Sequence, residues 1–153
     1  MKSVLTREMV AGRKIDSLWQ TNGHPYDKNY FHVDFFVKLD TGCLFPMGGS
    51  EPNLPVDLGE IDYHSLLPLP QRDAEHAKSC ISRVIIDICC AYWSPYFSIL
   101  LDNKKFLWID IASTLNGNDL GFYYFFEMSD AANLDLEGAL TYWDQKPVRD
   151  LLK

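Results

Sequence analysis

The 153-residue sequence predicts an α+β fold of mostly antiparallel β-sheet, as one curved sheet or two packed sheets, with short flanking helices. Three observations predict it. Asp40-Thr41-Gly42 and Asp102-Asn103-Lys104 are tight-turn sequences, each set between two apolar stretches, and short turns join antiparallel strands. Aromatic and β-branched residues gather in short runs, SRVIIDICCA (82–91) and LGFYYFFEM (120–128) among them, as strands require. Helix-compatible spacing is confined to brief stretches between these runs.

The elements follow in order. Residues 3–11 predict a short helix, with Ser3 as N-cap, a loose apolar face of Val4, Leu5, Met9 and Val10, and Gly12 at the left-handed C-cap. Residues 14–19 read as a short strand marked by Ile15 and Trp19. TNGHPYDKN is a polar loop. Residues 30–39 form a strand, the turn at 40–42 reverses it, and 43–47 return. Residues 48–71 are proline-rich and read as a long surface connection with one short strand at 61–64. Residues 72–79 are helix-compatible. Strands follow at 82–91, 96–101, 105–111 and 120–128, with a turn at Asn116-Gly117-Asn118. Leu136, Leu140 and Trp143 fall at helical spacing and predict a helix over 133–145, before a last helical turn at 148–153.

An internal similarity runs through this order. At a constant offset of 62, Phe35 meets Phe97, Val37 meets Ile99, Leu39 meets Leu101, Asp40 meets Asp102, Leu44 meets Phe106 and Met47 meets Ile109. The chain therefore reads as a single domain, 1–153, of two similar helix–strand–hairpin units, 3–47 and 72–111, followed by an extra strand and helix over 120–145. The expected core is Ile15, Phe35, Val37, Leu39, Ile86, Ile88, Ile99, Leu101, Leu107, Ile109, Phe122, Tyr124 or Phe125, Leu136 and Leu140.

Composition bounds the function. With 47% hydrophobic and 14% aromatic residues, the chain has material for a full core and is not a disordered sequence. The formal charge of −7 argues against nucleic acid and anionic membrane surfaces, which both need a Lys/Arg footprint. The N-terminus lacks a signal-peptide pattern, and no apolar run approaches the roughly 20 residues of a membrane span, so a soluble cytoplasmic protein is expected. Cys43, Cys80, Cys89 and Cys90 show no CxxC spacing and read as reduced structural thiols.

The acids are segregated. Residues 39–71 and 106–145 hold twelve of the 21 acids and none of the 14 bases, so the rest of the chain is net basic. The second window also carries Trp108, Tyr123, Tyr124, Tyr142 and Trp143. Carboxylates beside Tyr and Trp suit a surface that grips a basic protein: the acids steer encounter, and the rings supply desolvated anchors.

Catalytic motifs are absent: there is no GxSxG elbow and no HExxH, and the GGSEP turn at Ser50 lacks the lysine of a phosphate cradle. His32 with Asp34, and Asp62 with His64, share strand faces and define an alternative metal-binding or small-hydrolase site. Cys43 with His32 is an arithmetical thiol–imidazole pair, without a depressed thiol pKa to support it. A homo-oligomer pairing through an exposed edge at residues 30–39 is a third reading.

In general character the chain is similar to small cytosolic bacterial immunity and inhibitor proteins: acidic, aromatic-rich, α+β and free of motifs. No residue role follows from that profile. The leading expectation is a cofactor-free protein-binding module that neutralises a basic partner, a nuclease-type toxin being the model case. Its electrostatic set is Asp110, Asp119, Glu127, Asp130, Asp135, Glu137 and Asp144, with Tyr124 and Trp143 as anchors.

Overall fold

The computed structural model describes residues 5–21, 35–47, 66–94, 96–116 and 119–152. Within these, two antiparallel sheets are built. The first has four strands in the order β3-β2-β1-β4: β1 Ile15–Thr21, β2 Phe35–Leu39, β3 Leu44–Pro46 and β4 Leu66–Pro68. The second has five in the order β8-β7-β6-β5-β9: β5 Ile85–Cys90, β6 Ser98–Leu101, β7 Lys105–Asn116, β8 Asp119–Asp130 and β9 Leu140–Thr141. The helices are brief: α1 Arg7–Val10 and α2 Gln71–Ala77, with 3-10 turns at Lys78–Cys80, Ala131–Asn133 and Val148–Leu152.

The starts of β1 and β5 meet. Lys14 and Val84 form an isolated antiparallel bridge. Around it, Ile15 N–H donates to Arg83 O (3.0 Å) and Ile85 N–H donates to Arg13 O (2.8 Å). Gly12 N–H donates to Ile85 O, and Ser82 N–H to Ile15 O, both at 2.8 Å. Gly12 (φ +80°) and Ser82 (φ +66°) both take the left-handed conformation that lets the chain turn into its strand. Farther on, Asp40 N–H donates to Lys14 O and Asp102 N–H to Val84 O, each at 2.9 Å, so one hairpin turn is tied to the residue before β1 and the other to the residue before β5.

The register of β1 on β2 shifts between Ile15 and Ser17, and that of β5 on β6 between Ile85 and Asp87. A bulge adds one residue and moves the inward phase by one. Ile15 and Leu18 both point inward, as do Ile85 and Ile88, although each pair is three residues apart. Strict alternation places Ile86 in the main core; the bulge instead leaves it half-buried against a second cluster and turns Asp87 inside.

The main core draws on both sheets. It packs Ile15, Phe35, Val37, Leu39, Phe45 and Met47 against Ile85, Ile88, Phe97, Ile99, Leu101, Leu107, Ile109 and Phe126. Phe35 and Phe126 meet edge to face with ring centres 5.1 Å apart. The opposite face of the five-stranded sheet carries a second cluster of Cys89, Leu100, Phe106 and Trp108, covered by Ala131, Ala139 and Val148 with Leu134, Leu136 and Leu152. Phe126 is inward, so Tyr124 and Met128 line the main core while Phe125 lies on the other face; Phe122 lies outside the described side chains.

Three expectations are corrected. Residues 133–145 do not form a helix. Asp130 caps the 3-10 turn by accepting from Ala132 N–H (3.2 Å), Asp135 accepts from Glu137 N–H (3.0 Å), and Gly138 adopts φ +77°. These local side-chain and glycine turns outcompete a helix whose only support was the spacing of three apolar residues. The N-terminal helix starts at Arg7, with Thr6 rather than Ser3 at its N-cap. Residues 35–39 are not a free edge, because β2 is hydrogen-bonded on both sides, to β1 and β3. The predicted strand at 61–64 lies outside the described residues, and β4 begins just after it.

Candidate functional site

The β7–β8 hairpin runs in unbroken register from Lys105↔Asp130 to Asn116↔Asp119. This fixes which side chains share a face. Trp108 lies opposite Glu127, and Asp110 is two residues farther along β7, so all three sit on the face turned away from the main core. The chain after β8 then crosses that face. Leu134 and Leu136 pack into the second cluster, while Asp135 and Glu137 between and beyond them are exposed. Asp110, Glu127, Asp135 and Glu137 thus belong to one side of the sheet. Asp130, exposed, stands where β8 gives way to the crossing segment.

The carboxylates differ in their engagement. Asp110 accepts from Ile111 N–H at 2.7 Å. Glu127 Oε1 lies 2.9 Å from His76 Nε2 on α2 and also accepts from Met128 N–H at 2.9 Å. Asp130 and Asp135 are held by the backbone N–H groups they cap, leaving each carboxylate an oxygen to offer outward. Asp144 faces elsewhere: its Oδ2 is 3.7 Å from Arg7 Nη1 of α1. Asp119 begins β8, and its side chain lies outside the described ones.

Tyr124 and Trp143 are both half-buried against the main core, and Trp143 meets Tyr142 edge to face at 5.4 Å. Their rings already spend much of their surface on the protein's own interior. Trp108 is buried, and its indole N–H donates to Ser129 Oγ at 2.9 Å.

A cavity of about 430 Å³ lies beside α2, lined by Arg72, Asp73, Glu75, His76, Phe125 and Glu127. Within it Arg72 Nε lies 3.7 Å from Asp73 Oδ1 and His76 Nε2 lies 2.9 Å from Glu127 Oε1, while Glu75 pairs with Lys78 at 2.9 Å. His76 is half exposed and meets Phe125 edge to face at 6.2 Å. Among the described residues no group of three or more His, Cys, Asp or Glu side chains is arranged to hold a metal ion. His32, Asp34, Asp62 and His64 lie outside the described residues.

Asp87, 2% exposed, is the buried charge that sequence reading passed over. Its Oδ1 accepts from Ile88 N–H (2.9 Å), and its Oδ2 lies 3.4 Å from Arg7 Nε. Burial pushes its carboxyl pKa above the ordinary value; the Ile88 N–H and the Arg7 guanidinium oppose the shift, and nearby Asp144 adds to it. This arrangement pins α1 to β5 rather than presenting a reactive group. All four cysteines are free thiols. Burial raises each of their pKa values, that of Cys80 to about 12, so none has the depressed pKa of a nucleophile.

No protein-family model, no curated protein and no solved structure matches this chain. Among the described residues no helix is long and apolar enough to cross a membrane.

Proposed function

We propose that the chain is a cofactor-free cytoplasmic protein-binding module that neutralises a basic protein partner by occupying its positive cleft. The observation that carries this reading is the placement of Asp110, Glu127, Asp135 and Glu137 on one side of the five-stranded sheet, away from the main core. Asp130 extends the set at the strand end and Asp119 joins it as a proposed member by charge alone, whereas Asp144, turned toward Arg7, does not. Tyr124, on the main-core face of β8, and Trp143, packed against the main core, lie apart from these carboxylates, so neither serves as their anchor. The backbone bonds that hold Asp130 and Asp135 fix the carboxylates before binding, so little side-chain entropy is lost on contact. A nuclease-type toxin is the model partner, since enzymes that act on polyanions carry basic clefts.

The scaffold reading is part of the same proposal: one domain of two helix–strand–hairpin units related by duplication. It is supported by the paired bonds around Lys14 and Val84, by the matched bulges, and by left-handed residues at equivalent places, Gly12 with Ser82 and Gly42 with Lys104.

The test is capture from the native lysate on two baits, the wild-type chain and a variant with Asp110→Lys, Glu127→Lys, Asp135→Lys and Glu137→Lys, eluted with rising salt. A basic protein held by the wild type to high salt and lost from the variant is the expected result. Equal capture by both baits, or no salt-dependent capture, overturns the assignment.

A further inference from the structure

Among the described residues Tyr92 is by far the most exposed large hydrophobic side chain, at 71%. It sits in the turn that follows β5. The turn is not loose. Tyr92 meets Trp93 edge to face at 5.9 Å, and Trp93 in turn meets Phe106 at 5.0 Å and donates its indole N–H to Ser98 Oγ at 3.0 Å. Trp93 packs on the second cluster, the same cluster that anchors Leu134 and Leu136. Trp93, itself packed, therefore supports an aromatic ring that is left largely in water.

The sheet register says what stands beside it. β9 is antiparallel to β5, with Cys90 opposite Leu140 and Cys89 opposite Thr141. The chain leaving β5 toward Tyr92 and the chain entering β9 from Glu137 and Gly138 are thus at the same end of the ladder. Asp135 and Glu137, both exposed, are carried on that entering segment. Val148 N–H donates to Ala139 O (2.9 Å), which places the backbone next to Arg149 at the same end.

We propose that Tyr92, Asp135 and Glu137 form a recognition surface for an exposed Arg- or Lys-rich segment of a protein partner, Tyr92 being the aromatic anchor. A guanidinium can lie on the exposed ring face while its N–H groups reach the carboxylates. This rests on the basic-partner reading above and adds the place where the partner's cations are seated.

The probe is a hexa-arginine peptide titrated into the ¹⁵N-labelled chain and followed by NMR at low and high salt. The expected perturbations centre on residues 91–94 and 134–139 and fade with salt. Tyr92→Ala is expected to weaken binding about 2- to 5-fold, as loss of an exposed cation–π contact does, and Tyr92→Phe to retain it. Asp135→Asn with Glu137→Gln is expected to flatten the salt dependence. Perturbations confined to residues 108–127 would overturn this surface while leaving the basic-partner reading intact. Wild-type affinity in Tyr92→Ala would remove Tyr92 as the anchor. No perturbation anywhere would overturn both.

Discussion

Asp87 shows how one side chain links α1 to β5. A carboxyl that is 2% exposed has one backbone donor and one guanidinium, and burial raises its pKa above the ordinary 3.8. The protonated form is therefore favoured by folding. The stability it contributes is complete below that ordinary value and is lost as pH rises through the folded-state pKa. Asp87→Asn keeps an acceptor for the Ile88 N–H and removes the ionisation. Urea denaturation of Asp87→Asn between pH 4 and pH 7 is expected to show a flatter decline in stability than the wild type. Asp87→Ala leaves the Ile88 N–H without its acceptor and is expected to cost about 1–3 kcal/mol. A variant pair with identical pH profiles would contradict this account. Nothing in the sequence distinguished Asp87 from the other acids, because its burial depends on a bulge that only pairing with β6 reveals.

At the scale of elements, the hairpins and their turns were legible because turn chemistry is local. Gly42 (φ +89°) and Lys104 (φ +60°) occupy the same place in the two turns, where Gly42 N–H donates to Leu39 O and Lys104 N–H to Leu101 O. A Cβ on Gly42 would meet nothing within 4 Å, so Gly42→Ala is strained through its backbone alone. That substitution is expected to cost about 1 kcal/mol, and Lys104→Gly to gain about 0.5–1 kcal/mol, in chemical denaturation. Opposite signs at the two turns are the signature; a loss in both would contradict their equivalence. The core of β2, β6 and β7 was also readable, Phe35, Val37, Leu39, Ile99, Leu101, Leu107 and Ile109 being inward as alternation requires. Ile86 was misplaced because a bulge breaks alternation without a local sequence signal. The expected helix at 133–145 failed because Asp130, Asp135 and Gly138 make competing turns, which apolar spacing does not register. The exposure of Tyr92 has no local sequence signal for a related reason: it stands beside Trp93 in one turn, and which of the two rings is buried follows from the way Trp93 docks on Phe106.

For the molecule as a whole, four carboxylates of the acid-rich window 106–145 fall on one side of the five-stranded sheet. The five-stranded sheet has one face in the main core, and its other face carries Asp110 and Glu127 together with the segment bearing Asp135 and Glu137. The proposed interface would act first on the rate of encounter, because like-signed carboxylates steer an oppositely charged partner over several ångströms before contact. The most direct measurement is the association rate with the captured partner, as a function of ionic strength, for the wild type and for Asp135→Lys with Glu137→Lys. The account predicts a rate that falls steeply with salt in the wild type, and a slower, flatter response in the variant. A rate indifferent both to salt and to the two reversals would contradict it.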